Sequence, residues 1–293
     1  MDSAKIKYWL ALARAEGLLR TTGKRLLERF GGPEVFFEGS SAGTIRGVPP
    51  AAERAIRGFD DWAWVERELE LIERKKAGVL TFNDPAYPAL LREIKDPPYL
   101  LYTRGVLHGG KTENTVAVEG TRNPTPYGLD MAEALSRDLA GMGVTVVSGL
   151  ARGSDAAAHK GAIRAGGRTI AVLGTGVDVP YPVRNSRLYE EIERSGGLIV
   201  SELPLGTGPV PGNFLRRNRI INGISLAVVV VEATLRSGSL MTARLAFESG
   251  RKVFVTPGDN VNNEKRRGIE SLMERGAVTI ESAGDIMRAL GIG

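Results

Sequence analysis

From Thr115 onward the chain alternates short, unbroken apolar runs with amphipathic segments of helical length. The runs are TVAVEG (115–120), VTVVSG (144–149), RTIAVLG (168–174), LIVSEL (198–203), LAVVVVEA (226–233), KVFVTPG (252–258) and AVTIE (277–281). Between and after them lie GLDMAEALSRDLAGMG (128–143), DAAAHKGAIRAGG (155–167), SRLYEEIERSGG (186–197), PGNFLRRNRIING (211–223), SGSLMTARLAFESG (237–250), RGIESLMERGA (267–277) and AGDIMRALG (283–291). Apolar runs too short for helices suit strands covered on both faces. Strands that alternate with helices predict a doubly wound, mostly parallel α/β sheet of Rossmann-like type. Strand order does not follow from the pattern.

The first 76 residues read differently. KYWLALARAEG, GKRLLERFGG, PPAAERAIRGF and DWAWVERELELIERKKAG are short helices punctuated by Gly and Pro. They predict a small all-helical domain over 1–76, ahead of the α/β domain over 77–293. The domain is loosely similar to SAM-like or helix-hairpin-helix units. The Pro- and Tyr-rich segment 78–114 is expected to add strands and loops to the sheet's edge. A chain of 293 residues accommodates both parts and buries a core without covalent staples. It has no cysteine, which excludes a disulfide framework and thiolate metal sites and suits a reducing, cytoplasmic setting. No apolar run approaches the ~20 residues that span a bilayer, so no membrane insertion is expected. The N-terminus is too charged for a signal peptide. A net charge of +5 permits an anionic partner without requiring one.

In open α/β sheets, ligands bind beyond the carboxyl ends of the strands. Here those ends carry GTRNPTPYG (120–128), SGLARGSD (148–155), GTGVDVPYPVRN (174–185), SELPLGTGPVPGNF (201–214), EATLRSGS (232–239) and TPGDN (256–260). One such loop is no more than a tight turn with a solvated arginine. Loops carrying Arg122, Arg152, Arg184 and Arg236 on one edge predict an anion-binding rim, since glycine admits a ligand close to backbone N–H groups and helix N-termini favour anions. A rim this long suits an extended polyanion. Tyr127, Tyr181 and Phe214, in or beside these loops, are candidates for stacking on bases or for covering the sheet edge.

The segment PGNFLRRNRIING places a basic cluster directly before the apolar run LAVVVVEA. On a helical wheel Phe214, Ile220, Ile221 and Ile224 share one arc. Arg217 falls in the middle of that arc, Arg219 lies nearly opposite Ile221, and Arg216 flanks it. Arg217 is therefore expected to be buried and to need a carboxylate, because an unpaired buried charge is costly. Glu202 and Glu232, at strand ends, are its candidate partners. Arg216 and Arg219 are expected to face outward, toward an anion.

Enzyme signatures are weak. A dinucleotide site needs G-x-G-x-x-G after the first strand and an acid at the end of the second, and both are missing, as is the phosphate-loop pattern. No nucleotide cofactor and no metal are expected. His108 and His159 are the only histidines. Asp155 and His159 share a helix face, which allows an acid–base pair, the start of a metal site or a hydrogen-bonded anchor. No catalytic residue is assigned.

The loops together resemble a known family. GTRNPTPYG, SGLARGSDAAAHKGA, TIAVLGTGVDVPYPVRN, LIVSELPLG, NFLRRNRIINGIS, VVVEATLRSGSLMTARLAFESGRKVFVTPG and GIESLMERGA are similar, in order and spacing, to the motifs of the DNA-processing protein A (DprA, or Smf) family over about residues 78–293. The resemblance implies an extended Rossmann-like fold without cofactor, binding and protection of incoming single-stranded DNA, loading of the RecA recombinase during natural transformation, and a homodimer through the Rossmann-like domains. It implies DNA contacts at Gly120, Thr121 and Arg122, at Arg217, Asn218 and Arg219, and at the basic positions Arg152 and Arg184. Arg216 joins them from the helical wheel. Two features depart from the pattern. Glu119 stands where the family usually has an aliphatic residue, and an acid there would repel DNA unless paired. A C-terminal winged-helix-like domain, common in the family, has no counterpart in these 293 residues. The competing reading is a nucleotide-processing enzyme of the lysine-decarboxylase-like phosphoribohydrolase type. Its P-G-G-x-G-T-x-x-E run is replaced here by SGSLMTARLAFE (237–248).

Overall fold

The computed structural model describes residues 3–38, 47–107, 114–257 and 263–292. Helices α1 (Ser3–Arg14), α2 (Arg20–Phe30), α3 (Glu34–Glu38), α4 (Pro50–Arg57) and α5 (Trp62–Lys75) come first. The segment that follows adds strand β1 (Gly78–Thr81), the short helix α6 (Ala89–Glu93) and strand β2 (Leu100–Gly105). The alternating part then runs β3 (Thr115–Glu119), α7 (Pro126–Gly141), β4 (Thr145–Ser148), α8 (Ser154–Arg164), β5 (Thr169–Val172), α9 (Ser186–Arg194), β6 (Leu198–Ser201), α10 (Pro211–Ile224), β7 (Ala227–Val230), α11 (Gly238–Glu248), β8 (Lys252–Val255), α12 (Asn263–Met273), β9 (Val278–Thr279) and α13 (Ala283–Leu290).

All nine strands form one sheet in the order β1-β2-β6-β5-β4-β3-β7-β8-β9. Strands β3 to β9 are parallel, and β1 and β2 extend the β6 edge in antiparallel sense. The fold is thus an extended Rossmann-like α/β sheet. The chain steps outward from β3 to β6, and α10 then carries it back to place β7 on the free side of β3. That reversal makes the carboxyl ends of β3 and β7 the topological switch point.

Successive side chains of a strand enter opposite faces, and both faces here are dry. Val116, Val118, Val146 and Val229 pack with Leu135 and Leu139 of α7 and Ala158 of α8. Ala117, Val147, Val172, Val228 and Val230 pack with Ile220, Ile221 and Ile224 of α10 and Leu240 of α11. This second layer continues without a break through Tyr99 and Leu101 to Leu12, Leu27 and Val65 of the N-terminal helices. At the strand ends, hydroxyls complete the ladder. Ser148 Oγ donates to Val118 O at 2.7 Å and Thr256 Oγ1 to Val231 O at 2.7 Å.

Candidate nucleic-acid interface at the switch point

The loops after β3 and β4 lie against each other. Gly153 adopts a φ of +84°, and a Cβ there would sit 2.6 Å from Thr121 O and 2.7 Å from Pro124 Cδ. Gly120 is held as closely, because a Cβ on it would lie 2.4 Å from Ser154 Oγ. Ser154, the first residue of α8, donates its backbone N–H to Thr121 O at 3.3 Å. Thr121 is buried, and its Oγ1 accepts from Asn123 N at 3.2 Å. The loop is thereby pinned with Arg122 projecting into solvent. On its far side Thr125 caps α7 by accepting from Gly128 N at 3.1 Å. Glu232, at the end of β7, accepts from Thr125 N at 2.9 Å and pairs with Lys265 of α12 at 2.9 Å.

Arg122 stands over the ring of Phe214, on the first turns of α10, at 6.0 Å from its centroid. Phe214 lies against Gly174, where a Cβ would come within 2.6 Å of the ring. Tyr181 of the same loop tilts against Phe214 at 5.4 Å between centroids and is 39% exposed. Tyr127 is half-buried on the first turn of α7. Arg152, Arg184, Arg216 and Arg236 are exposed like Arg122, and among the described residues none of the five is in an ion pair. His108 and positions 258–260 of the loop after β8 lie outside the described residues.

Beneath this rim sits a sealed ionic cluster. Arg217 is buried as its place on the wheel requires, but its partners differ from those expected. Glu202 and Glu232 are engaged elsewhere. The charges that face Arg217 are Glu119 of β3 and Asp155 of α8, neither within ion-pair contact, and its guanidinium donates to Val172 O. Gly149 makes room for it, since a Cβ would lie 2.1 Å from Nη1. Burial foremost, then the neighbouring Asp155, raises the Glu119 carboxyl to about 7 against the pull of Arg217. Glu119 Oε2 has no hydrogen-bond partner, and the Thr242 hydroxyl of α11 lies beside it short of hydrogen-bond geometry. Asp155, also raised by burial, accepts from the backbone N–H of Ala151 at 3.3 Å.

The expected outward pair is corrected too. Arg216 is exposed, but Arg219 turns toward the sheet edge and the N-terminal helices. It binds Glu202 at 2.6 Å and Asp96 at 3.0 Å, and Glu202 also holds Arg20 at 2.6 Å. The wheel set Arg219 opposite Ile221, but the face opposite is covered by α6 and its flanks. Asn218 is buried and donates to Gly238 O at 3.2 Å, fixing the start of α11. Asp155 and His159 do not bond to each other. His159 Nδ1 lies 2.7 Å from Thr169 Oγ1, whose proton goes to Val146 O at 2.8 Å, so Nδ1 carries the ring proton. Burial, with Arg217 adding to it, lowers this imidazole to about 3 and keeps it neutral. Among the described residues no group of three potential ligands can hold a metal ion. Arg20, Asp96 and Lys265 went unnoticed in the sequence because each meets its partner only across the fold.

Residues 78–291 match the family model for DNA recombination-mediator protein A. This chain belongs to that family. The Smf protein of Synechocystis is 39% identical over 296 residues, covering 99% of this chain and 74% of the relative. The DNA processing protein DprA of Streptococcus pneumoniae is 42% identical over 215 residues, 73% of this chain and 75% of that one. The X-ray structure of the Streptococcus pneumoniae protein superposes with a TM-score of 0.78 at 33% identity, covering 96% of this chain and 97% of that chain. DNA processing protein A of Helicobacter pylori, whose structure concerns its single-stranded DNA binding mode, superposes with a TM-score of 0.63 at 33% identity over 73% of this chain and 95% of that chain. The chain is therefore a DprA/Smf protein in fold and family, and its work is DNA processing in recombination.

Proposed function

We propose that this chain is a non-enzymatic single-stranded DNA-binding protein that protects incoming strands and loads the RecA recombinase onto them during natural transformation, acting in the cytoplasm as a homodimer through its Rossmann-like part. The observation that carries the binding role is the set of exposed arginines without ion-pair partners on the rim, together with the Tyr181–Phe214 ring pair, of which Tyr181 is exposed. Arginines without carboxylate partners hold phosphodiesters, and the Tyr181–Phe214 pair offers a surface for unstacked bases, which a duplex does not present. Gly120 and Thr121 bring backbone N–H groups to the phosphate, and Arg122, Arg152, Arg184 and Arg216 extend the path. Arg217, Asn218 and Arg219 shape the floor from beneath, through Val172, Gly238 and Glu202 respectively. We read residues 77–293 as the DNA-binding domain and 1–76 as the SAM-like helical domain that closes its edge. The nucleotide-processing alternative needs a carboxylate near the start of α11. Glu248 is the last residue of that 11-residue helix and exposed, at the end away from the rim.

The deciding experiment is fluorescence anisotropy with an oligo-dT strand and a matched duplex across a salt series. The strand is expected to bind preferentially, with a log–log salt slope of about −0.7 per phosphate contact. Arg122→Ala is expected to weaken it about tenfold, the scale of one charge-assisted contact. Equal binding of duplex and strand, indifferent to Arg122→Ala, would sink the reading. Recruitment is scored separately, by whether the protein shortens the lag in RecA filament growth on strands covered by a single-strand binding protein.

A further inference from the structure

The cluster under the Gly120–Arg122 loop does not balance its charge. Two carboxylates, Glu119 and Asp155, and one guanidinium, Arg217, are enclosed together with less than a tenth of each residue exposed. The groups that act on Glu119 and its neighbours come from α8, α10 and α11. From α8 come Asp155 and His159, and the imidazole is neutral. From α10 comes Arg217, and from α11 the uncharged Thr242. Glu232, at the end of the adjacent strand β7, is balanced by Lys265. The remaining positive charge felt by the cluster is that of Arg122 above it, which acts on both Asp155 and Arg217. With both acids ionised, the enclosed group carries one net negative charge. It is neutral when one acid holds a proton.

Which acid holds it follows from hydrogen bonding. Asp155 accepts from the backbone N–H of Ala151 at 3.3 Å, which favours its ionised form. Glu119 has one oxygen with no partner at all. A phosphodiester on Arg122 brings negative charge over the cluster and compensates the exposed cation that supports ionised Asp155. The enclosed net negative charge is then held at greater cost, and Glu119, the acid with an unpartnered oxygen, takes the proton that relieves it.

We propose that binding of a phosphodiester strand at the Gly120–Arg122 loop is coupled to uptake of a proton by Glu119, so that the strand is held more tightly as pH falls through neutrality. This rests on the single-strand reading above. Phosphodiesters and arginines do not titrate in that range, so the coupling belongs to the protein. Glu119 acts here as a tuning residue beneath the ligand.

The test is calorimetric titration of the protein with oligo-dT at pH 7 in two buffers of different ionisation enthalpy, whose difference counts the protons taken up. Anisotropy at constant ionic strength from pH 6 to 8.5 accompanies it. Wild type is expected to take up a fraction of a proton and to lose affinity with rising pH, by up to about tenfold for each unit by which binding raises the proton affinity of the group. Glu119→Gln is expected to bind with no uptake and a flat profile. His108→Gln, which removes the second of the two histidines in the chain, is expected to keep the wild-type uptake. Zero uptake by wild type overturns the coupling and needs no variant to show it. Uptake that persists in Glu119→Gln, or vanishes in His108→Gln, overturns the assignment to Glu119. No binding at any pH would refute the single-strand reading and the coupling together, whereas binding without uptake refutes the coupling alone.

Discussion

At the scale of single residues, Arg217 shows why a buried charge is kept. It reaches no carboxylate in direct contact, yet its field is the main influence opposing the ionisation penalty of Glu119 and Asp155. Arg217→Met is expected to lower stability on the order of 3 kcal/mol, the scale for removing one partner of a buried ionic group. The loss should be larger at pH 8 than at pH 5, where Glu119 already holds its proton. Urea unfolding at the two pH values measures it, and an equal loss at both would contradict this account. Glu119 and His159 bound the stability of the fold from opposite sides. Below about pH 4.5 Glu119 is protonated in both states. As pH rises from there through about 7, the unfolded chain ionises it first, so the stability from its protonated form is progressively lost. His159 acts in the acid range. Stability present above about 6.5 is lost as pH falls toward about 3, because only the unfolded chain takes up the proton readily. Glu119→Gln should narrow the difference in unfolding midpoint between pH 5 and pH 8, and His159→Gln that between pH 7 and pH 4.

At the scale of elements, the site depends on how tightly the loops and helices behind it are pressed together. Gly161 of α8 faces the α7 backbone, and a Cβ there would lie 2.2 Å from Glu133 O and 3.0 Å from Arg137 N. Backbone cannot rotate away as a side chain does. Gly161→Ala is therefore expected to cost about 1–3 kcal/mol by overpacking and to lower the thermal midpoint by several degrees. Gly141, the last residue of α7, has open space where its Cβ would be. Gly141→Ala should be neutral or slightly stabilising, which separates close packing from a general intolerance of alanine.

At the scale of the whole molecule, the helical segment and the sheet share one apolar layer, from Trp9 and Leu12 through Tyr99 to Ile220. Polar ties cross the same boundary. Glu68 of α5 is 2% exposed and accepts from Leu205 N at 2.9 Å, and Arg20 of α2 pairs with Glu202. Such a seam should make unfolding cooperative. Scanning calorimetry is expected to show one transition for the full chain. Two resolved transitions would mean that residues 1–76 and 77–293 fold as separate units.

The sequence by itself determined the α/β class, the place of nearly every strand and helix after Thr115, the burial of Arg217 and the edge on which the arginine loops gather. These follow from local periodicity and from the fixed geometry of helix and strand, which neighbouring residues alone specify. The tertiary structure decided the rest. It set the strand order, the partners of Arg217, the inward turn of Arg219 onto Glu202 and Asp96, and the bond from His159 to Thr169. Each of these joins residues distant in the chain, and their pairing depends on which elements become neighbours once the sheet is wound. A helical wheel shows which way Arg219 points but not that another part of the chain covers that side.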